Sequence, residues 1–159
     1  MGELRRIDLF EAPTEPDESD PEGYRGLMNR FGPSIGAEKL GGSIYDLPPG
    51  QSVCPYHYEF PEEEWAIGLT GVLTVRHPGG EEELRGGEVV CFPPGPEGAH
   101  KITNRSDEPA RLLMMSTRSS PTVAVYPDSD KIGIFDTGDG NADLIFRQAG
   151  SAEYYEGES

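Results

Sequence analysis

The stretch "CPYHYEFPEEEW", Cys54 to Trp65, decides how this chain is read, because it sets one histidine and four glutamates between short apolar runs. In an extended strand, residues two apart share a face, so His57 and Glu59 project together while Tyr56 and Tyr58 point the other way. Past the bend at Pro61, Glu64 enters "EWAIGLTG", where Trp65, Ile67 and Leu69 alternate on one face. A later run, "HKITN", puts His100, Ile102 and Asn104 on a shared face. In a closed sheet such strands can aim their side chains at one interior point. Imidazoles and carboxylates meeting there can hold a divalent metal, or they can form a polar cluster bonded internally and to water.

Working outward, short apolar runs alternate with turn chemistry. "WAIGLTG" and "VLTVR" lead to the turn "HPGG", and "LRGGEVVCFPPG" brings the chain back, which reads as a β-meander. "SDEPA" makes another turn before the strand "RLLMMST", and "TVAVYP" and "DLIFRQ" read as further short ordered pieces ahead of the tail "SAEYYEGES". With 21 Gly and 15 Pro in 159 residues, frequent turns are expected and long helices are not. The reading is one all-β domain, a barrel or sandwich. The segment "EAPTEPDESDPE", residues 11–22, holds nothing apolar larger than alanine and so reads as a mobile or loosely draped arm. The expected organisation is an acidic, Pro-rich N-terminal arm over 1–37, a barrel core over 38–118 and a C-terminal extension over 119–159.

A net charge of -16 argues against nucleic acid and anionic membrane as partners, since both demand clustered Lys and Arg. No basic start followed by an apolar run and a cleavage site is present, and nothing approaches the roughly 20 apolar residues of a membrane span, so a cytoplasmic protein is expected. Cys54 and Cys91 form no CxxC pair; they read as small buried thiols, with one disulfide left open.

On these residues the sequence resembles the cupin superfamily, small jelly-roll β-barrels with two sequence motifs. The first, G(X)5HXH(X)3,4E(X)6G, is matched by Gly50, His57 after one extra residue, Glu59 where the second histidine is usual, Glu64 and Gly71. The second, G(X)5PXG(X)2H(X)3N, is matched by Gly87, Pro93, Gly95, His100 after two extra residues, and Asn104. The resemblance implies an all-β cupin-type jelly-roll barrel with metal ligands His57, Glu59, Glu64 and His100, against the family's more usual three histidines and one glutamate. It also implies a small-molecule ligand and a homodimer. A carboxylate in place of imidazole adds charge and a harder donor, which suits a divalent transition metal such as Fe, Mn, Zn or Ni. If Glu59 swings away, a two-histidine, one-carboxylate set remains. Glu59 is then the candidate general base.

The function implied is a metal-binding cupin acting on a small molecule by oxygenase, lyase or isomerase chemistry. Two alternatives stand beside it: a non-catalytic module holding a ligand or metal, and a metal-free isomerase or sugar-binding cupin. Glu62 and Glu63 read as a solvated acidic turn, and His77 in "RHPGG" as part of a hairpin. Trp65, Phe92, Met114 and Met115 read as cavity lining or plain core, and Asn104, Gly71, Gly87 and Pro93 as turn residues.

Overall fold

The computed structural model describes residues 3–135 and 143–158. Its elements are strands joined by turns and short 3-10 segments: β1 (Glu15–Pro16), β2 (Leu27–Asn29), β3 (Leu40–Leu47), β4 (Tyr58–Phe60), β5 (Glu64–Thr70), β6 (Val72–His77), β7 (Gly80–Arg85), β8 (Val89–Phe92), β9 (Lys101–Thr103), β10 (Ala110–Thr117), β11 (Thr122–Tyr126), β12 (Lys131–Phe135) and β13 (Leu144–Arg147). They form a six-stranded sheet in the order β1-β2-β3-β10-β5-β8, a four-stranded sheet β13-β12-β11-β4 and a three-stranded sheet β7-β6-β9. This is the all-β architecture expected from the turn-rich sequence, and it is consistent with a jelly-roll barrel. Among the described residues no helix is long and apolar enough to cross a membrane.

The expected meander is corrected in its pairing. β6 and β7 do form a hairpin, closing at His77 and Gly80, but β5 pairs with β8 and β10, and β6 pairs with β9. The chain therefore changes sheets between Thr70 and Val72. Gly71 makes that step with φ +76, and a Cβ there would lie 2.8 Å from the Ala110 Cβ, so only glycine fits both the backbone and the space.

The inner core lies between the sheets. Leu73, Val75, Leu84 and Ile102 come from β6, β7 and β9, and they meet Leu47, Ala66, Phe92, Leu112 and Met114 of the six-stranded sheet. Removing each such side chain from water contributes about 1.5–3 kcal/mol, which is why period-two apolar runs specify the register here. Asn104, fully buried, locks the turn before β10: its Nδ2 donates to the Leu47 and Glu108 carbonyls, and its Oδ1 accepts from the Ser106 N–H and hydroxyl.

A second cluster covers part of the sheet's other side. Ala12 and Phe31 pack on Ile44 and Leu113, with Ile7, Leu9, Ile35, Ile67, Leu69 and Met115 around them. The acidic segment 11–22 is thus held against the sheet at its near end. β1 pairs with β2, β2 pairs with β3, and the Arg111 guanidinium donates to the Leu9 and Ala12 carbonyls and to Asp46. Apolar residues just before and after the segment anchor it, although its own composition holds almost none. At the other end of the chain, β11 pairs with β4, so strands beyond residue 119 build the sheet that carries Glu59.

Both cysteines are free thiols. Cys54 is half-buried and Cys91 exposed, which corrects the expectation of two buried thiols.

Candidate metal centre

His57 and His100 face each other across an antiparallel bridge, each donating its backbone N–H to the other's carbonyl, at 3.1 and 2.8 Å. Directly opposed residues bring their side chains together, and the ring centroids lie 4.7 Å apart. Glu64 opens β5 and reaches the same point: its Oε2 is 3.6 Å from His57 Nε2 and 3.4 Å from His100 Nε2. One ligand atom from each of these residues lies within 4.8 Å of the others, so the group could hold a metal ion.

The imidazoles are oriented by their other nitrogens. His57 Nδ1 is 3.0 Å from the Pro55 carbonyl and His100 Nδ1 is 2.9 Å from the Gly98 carbonyl. A carbonyl oxygen only accepts, so each Nδ1 carries the proton and each Nε2 turns a lone pair toward Glu64. The loops that supply these carbonyls contain the extra residues in the two motifs. In the second loop the short 3-10 segment Pro96–Gly98 places the Gly98 carbonyl; a Cβ on Gly98 would fall 1.8 Å from the Pro93 carbonyl oxygen, so no other residue fits. Phe92 stacks on His100 at 3.7 Å and 7°, and Tyr126 lies over His57 at 5.8 Å and 22°.

Two Nε2 lone pairs converging on a carboxylate form an arrangement that wants a cation. His100 Nε2 is buried without a hydrogen-bond partner, as expected of a ligand atom whose ion lies outside the polypeptide. Without an ion, a proton takes that place. Burial by itself pushes the His57 imidazole down, but the neighbouring Cys54 sulfur, 3.5 Å from Nδ1, and the Glu64 carboxylate together push it up to about 11. His100 is pushed down to about 4, by burial first and then by the charge on His57. The donor set, two imidazoles and a carboxylate, fits a divalent transition ion.

Glu59 stands at the edge of this group. Its Oε1 is 3.9 Å from His57 Nε2, and its carboxyl is pushed up to about 7 by burial and then by the Glu64 charge. Glu59, Glu64 and Met114 line a cleft of about 460 Å³, within the range of small-molecule sites.

Of the other residues singled out by sequence, Phe92 holds an imidazole, Trp65 lies outside on the sheet, and His77 closes its hairpin 3.4 Å from Glu82. Glu63 is exposed and accepts from the Trp65 indole N–H. Glu62 overturns its expectation. It is 4% exposed, with Oε1 accepting from the Ser119 N–H at 2.9 Å and the Thr122 hydroxyl at 2.8 Å. Tyr126 was not singled out, since it lies 69 residues beyond His57 in a segment outside both motifs; only its aromatic character in an alternating strand marks it.

The model of the Cupin domain family matches residues 43–116, the stretch that carries both motifs. The structure of the chain is similar to that of a sugar phosphate isomerase of the cupin superfamily from Silicibacter pomeroyi, with a TM-score of 0.79 and 24% identity over 95% of this chain and 98% of that one. A putative sugar phosphate isomerase from Acidithiobacillus ferrooxidans is similar at a TM-score of 0.79 and 22% identity, covering 91% of each chain. The polyketide cyclase RemF from Streptomyces resistomycificus follows at 0.60 and 20%, over 76% of this chain and 84% of its own. No curated protein matches the sequence.

Proposed function

We propose that this chain is a metal-dependent enzyme of the isomerase type, with His57 Nε2, Glu64 and His100 Nε2 holding a divalent transition metal and Glu59 serving as general base or fourth ligand. The observation that carries the reading is the buried, unpartnered His100 Nε2 beside two further donor atoms. Such an ion, when bound, supplies Lewis-acid polarisation of a substrate oxygen. The chain's own residues do the rest. The Pro55 and Gly98 carbonyls keep the imidazoles in one tautomer, and Phe92 and Tyr126 fix their planes. Glu59 lines the cleft, and in this reading it takes a proton from a substrate carbon and returns it to the adjacent one. Isomerase chemistry is favoured over oxygenase or lyase because the two solved structures similar over most of this chain are named sugar phosphate isomerases.

The proposal extends to a homodimer. With a net charge of -16, two copies repel over most of their surface. The outer face around Leu40, Trp65 and Val89 is exposed and largely apolar, with Glu63 held by the Trp65 indole, and two copies can meet there.

Elemental analysis of untagged protein tests the metal reading. About one transition ion per chain is expected, absent in His100→Ala. No metal as purified, and no uptake on adding Mn, Fe, Ni or Zn, would overturn it.

A further inference from the structure

Among the described residues, two buried side-chain polar atoms lack a hydrogen-bond partner: His100 Nε2 and Glu62 Oε2. The first is answered by the metal reading. The second belongs to Glu62, a buried residue that lines the same cleft as Glu59 and Glu64 yet belongs to neither motif ligand set. Its Oε1 is fixed by two donors, the Ser119 N–H and the Thr122 hydroxyl, so the carboxylate cannot swing to pair Oε2 elsewhere without breaking both. A carboxylate oxygen accepts, so an O–H or N–H of a ligand completes it.

Arg30 lines the same cleft. It is exposed and forms no ion pair with any carboxylate of the described residues, although the chain carries 29 acidic side chains. Arginine presents a planar fork suited to phosphate and carboxylate. The residues that line the cleft therefore include one with an unanswered acceptor, Glu62, and a cation without an ion pair among the described residues, Arg30.

We infer that the cleft recognises a small hydroxylated anion, Glu62 Oε2 accepting a hydrogen bond from a ligand hydroxyl while Arg30 takes the oxyanion group. This deepens the proposed function by naming its substrate class, and it rests on that reading for the reaction but not for the binding. Glu62 is the residue that sets specificity for the hydroxyl. A site built to pair a substrate hydroxyl rejects the analogue lacking it, because its own polar atom is then left bare.

The test compares glycerol 3-phosphate with n-propyl phosphate, which keeps the anion and lacks the hydroxyls. Dissociation constants are measured by NMR titration on metal-loaded and on chelator-treated protein, with metal counted in each sample. Wild type is expected to prefer glycerol 3-phosphate by about tenfold or more. Glu62→Met, which removes both side-chain oxygens at similar size, should bring the two constants to within about threefold of each other. Arg30→Ala, an exposed change with little risk to folding, should weaken both probes by a similar factor and leave their ratio intact. No preference in wild type, an unchanged ratio in Glu62→Met or unchanged affinities in Arg30→Ala would each overturn the inference. A preference kept in chelator-treated protein that takes up no metal would support this subsite while refuting the metal reading, so the two can fail separately.

Discussion

The two sides of β5 and β10 differ in what they bury. Inward, Glu64 and Ala66 stand beside Met114, and the strand end delivers a carboxylate to two imidazoles in the barrel interior. Outward, the paired rows Trp65–Met115 and Ile67–Leu113 present an apolar surface that the chain covers only in part. Phe31 and Ala12 shield Ile44 and Leu113, while Trp65 and Val89 remain exposed. Polar groups are thus concentrated inside at the site, and apolar groups are left outside. Inside, the two imidazoles are oriented by the Pro55 and Gly98 carbonyls; outside, the N-terminal segment covers only part of the apolar row.

That account can be broken first at Phe31. If the N-terminal segment is a true second core, Phe31→Ala should destabilise the protein by about 3–5 kcal/mol, as truncation of a buried aromatic does. Urea unfolding measures it, and metal content should stay unchanged in the folded variant. A loss below about 1 kcal/mol would mean that the segment merely rests on the sheet.

Asn104 tests the inner side with a smaller expected effect. Asn104→Ala removes two donated and two accepted hydrogen bonds and strands the Leu47 carbonyl, for a cost of about 1–3 kcal/mol. Because this turn lies away from the imidazoles, metal affinity should change little. A large loss of metal at small loss of stability would show instead that the turn tunes His100.

How much of this was readable beforehand follows from the range of the contacts. His57, Glu59, Glu64 and His100 stand out because strand periodicity and motif spacing are short-range properties, and the fold brings His57, Glu64 and His100 within ligand distance. Glu62 did not stand out, because what distinguishes it from Glu63 is a pair of donors 57 and 60 residues away. Tyr126 is hidden for the same reason. The meander reading failed at Gly71, where a turn between apparent neighbours is a change of sheet. Alternation in "WAIGLTG" correctly separates two faces but cannot say which is inside when small residues, Ala66 and Gly68, occupy the inner one.

The smallest stability effect is expected at Trp65, and it sharpens the contrast most. This indole is 45% exposed and forms one hydrogen bond, to the neighbouring Glu63. In a single subunit Trp65→Ser should therefore shift stability by no more than about 0.5 kcal/mol, the usual range for surface changes. If two copies meet on this face, the same substitution removes a central aromatic anchor, and such residues dominate association energies. The mass measured by light scattering should then fall from two chains to one, with metal content preserved. A mass unchanged on substitution would place any dimer elsewhere and leave Trp65 as exposed apolar surface. A large loss of monomer stability would show that this side of the sheet is as much a core as the side that carries the histidines.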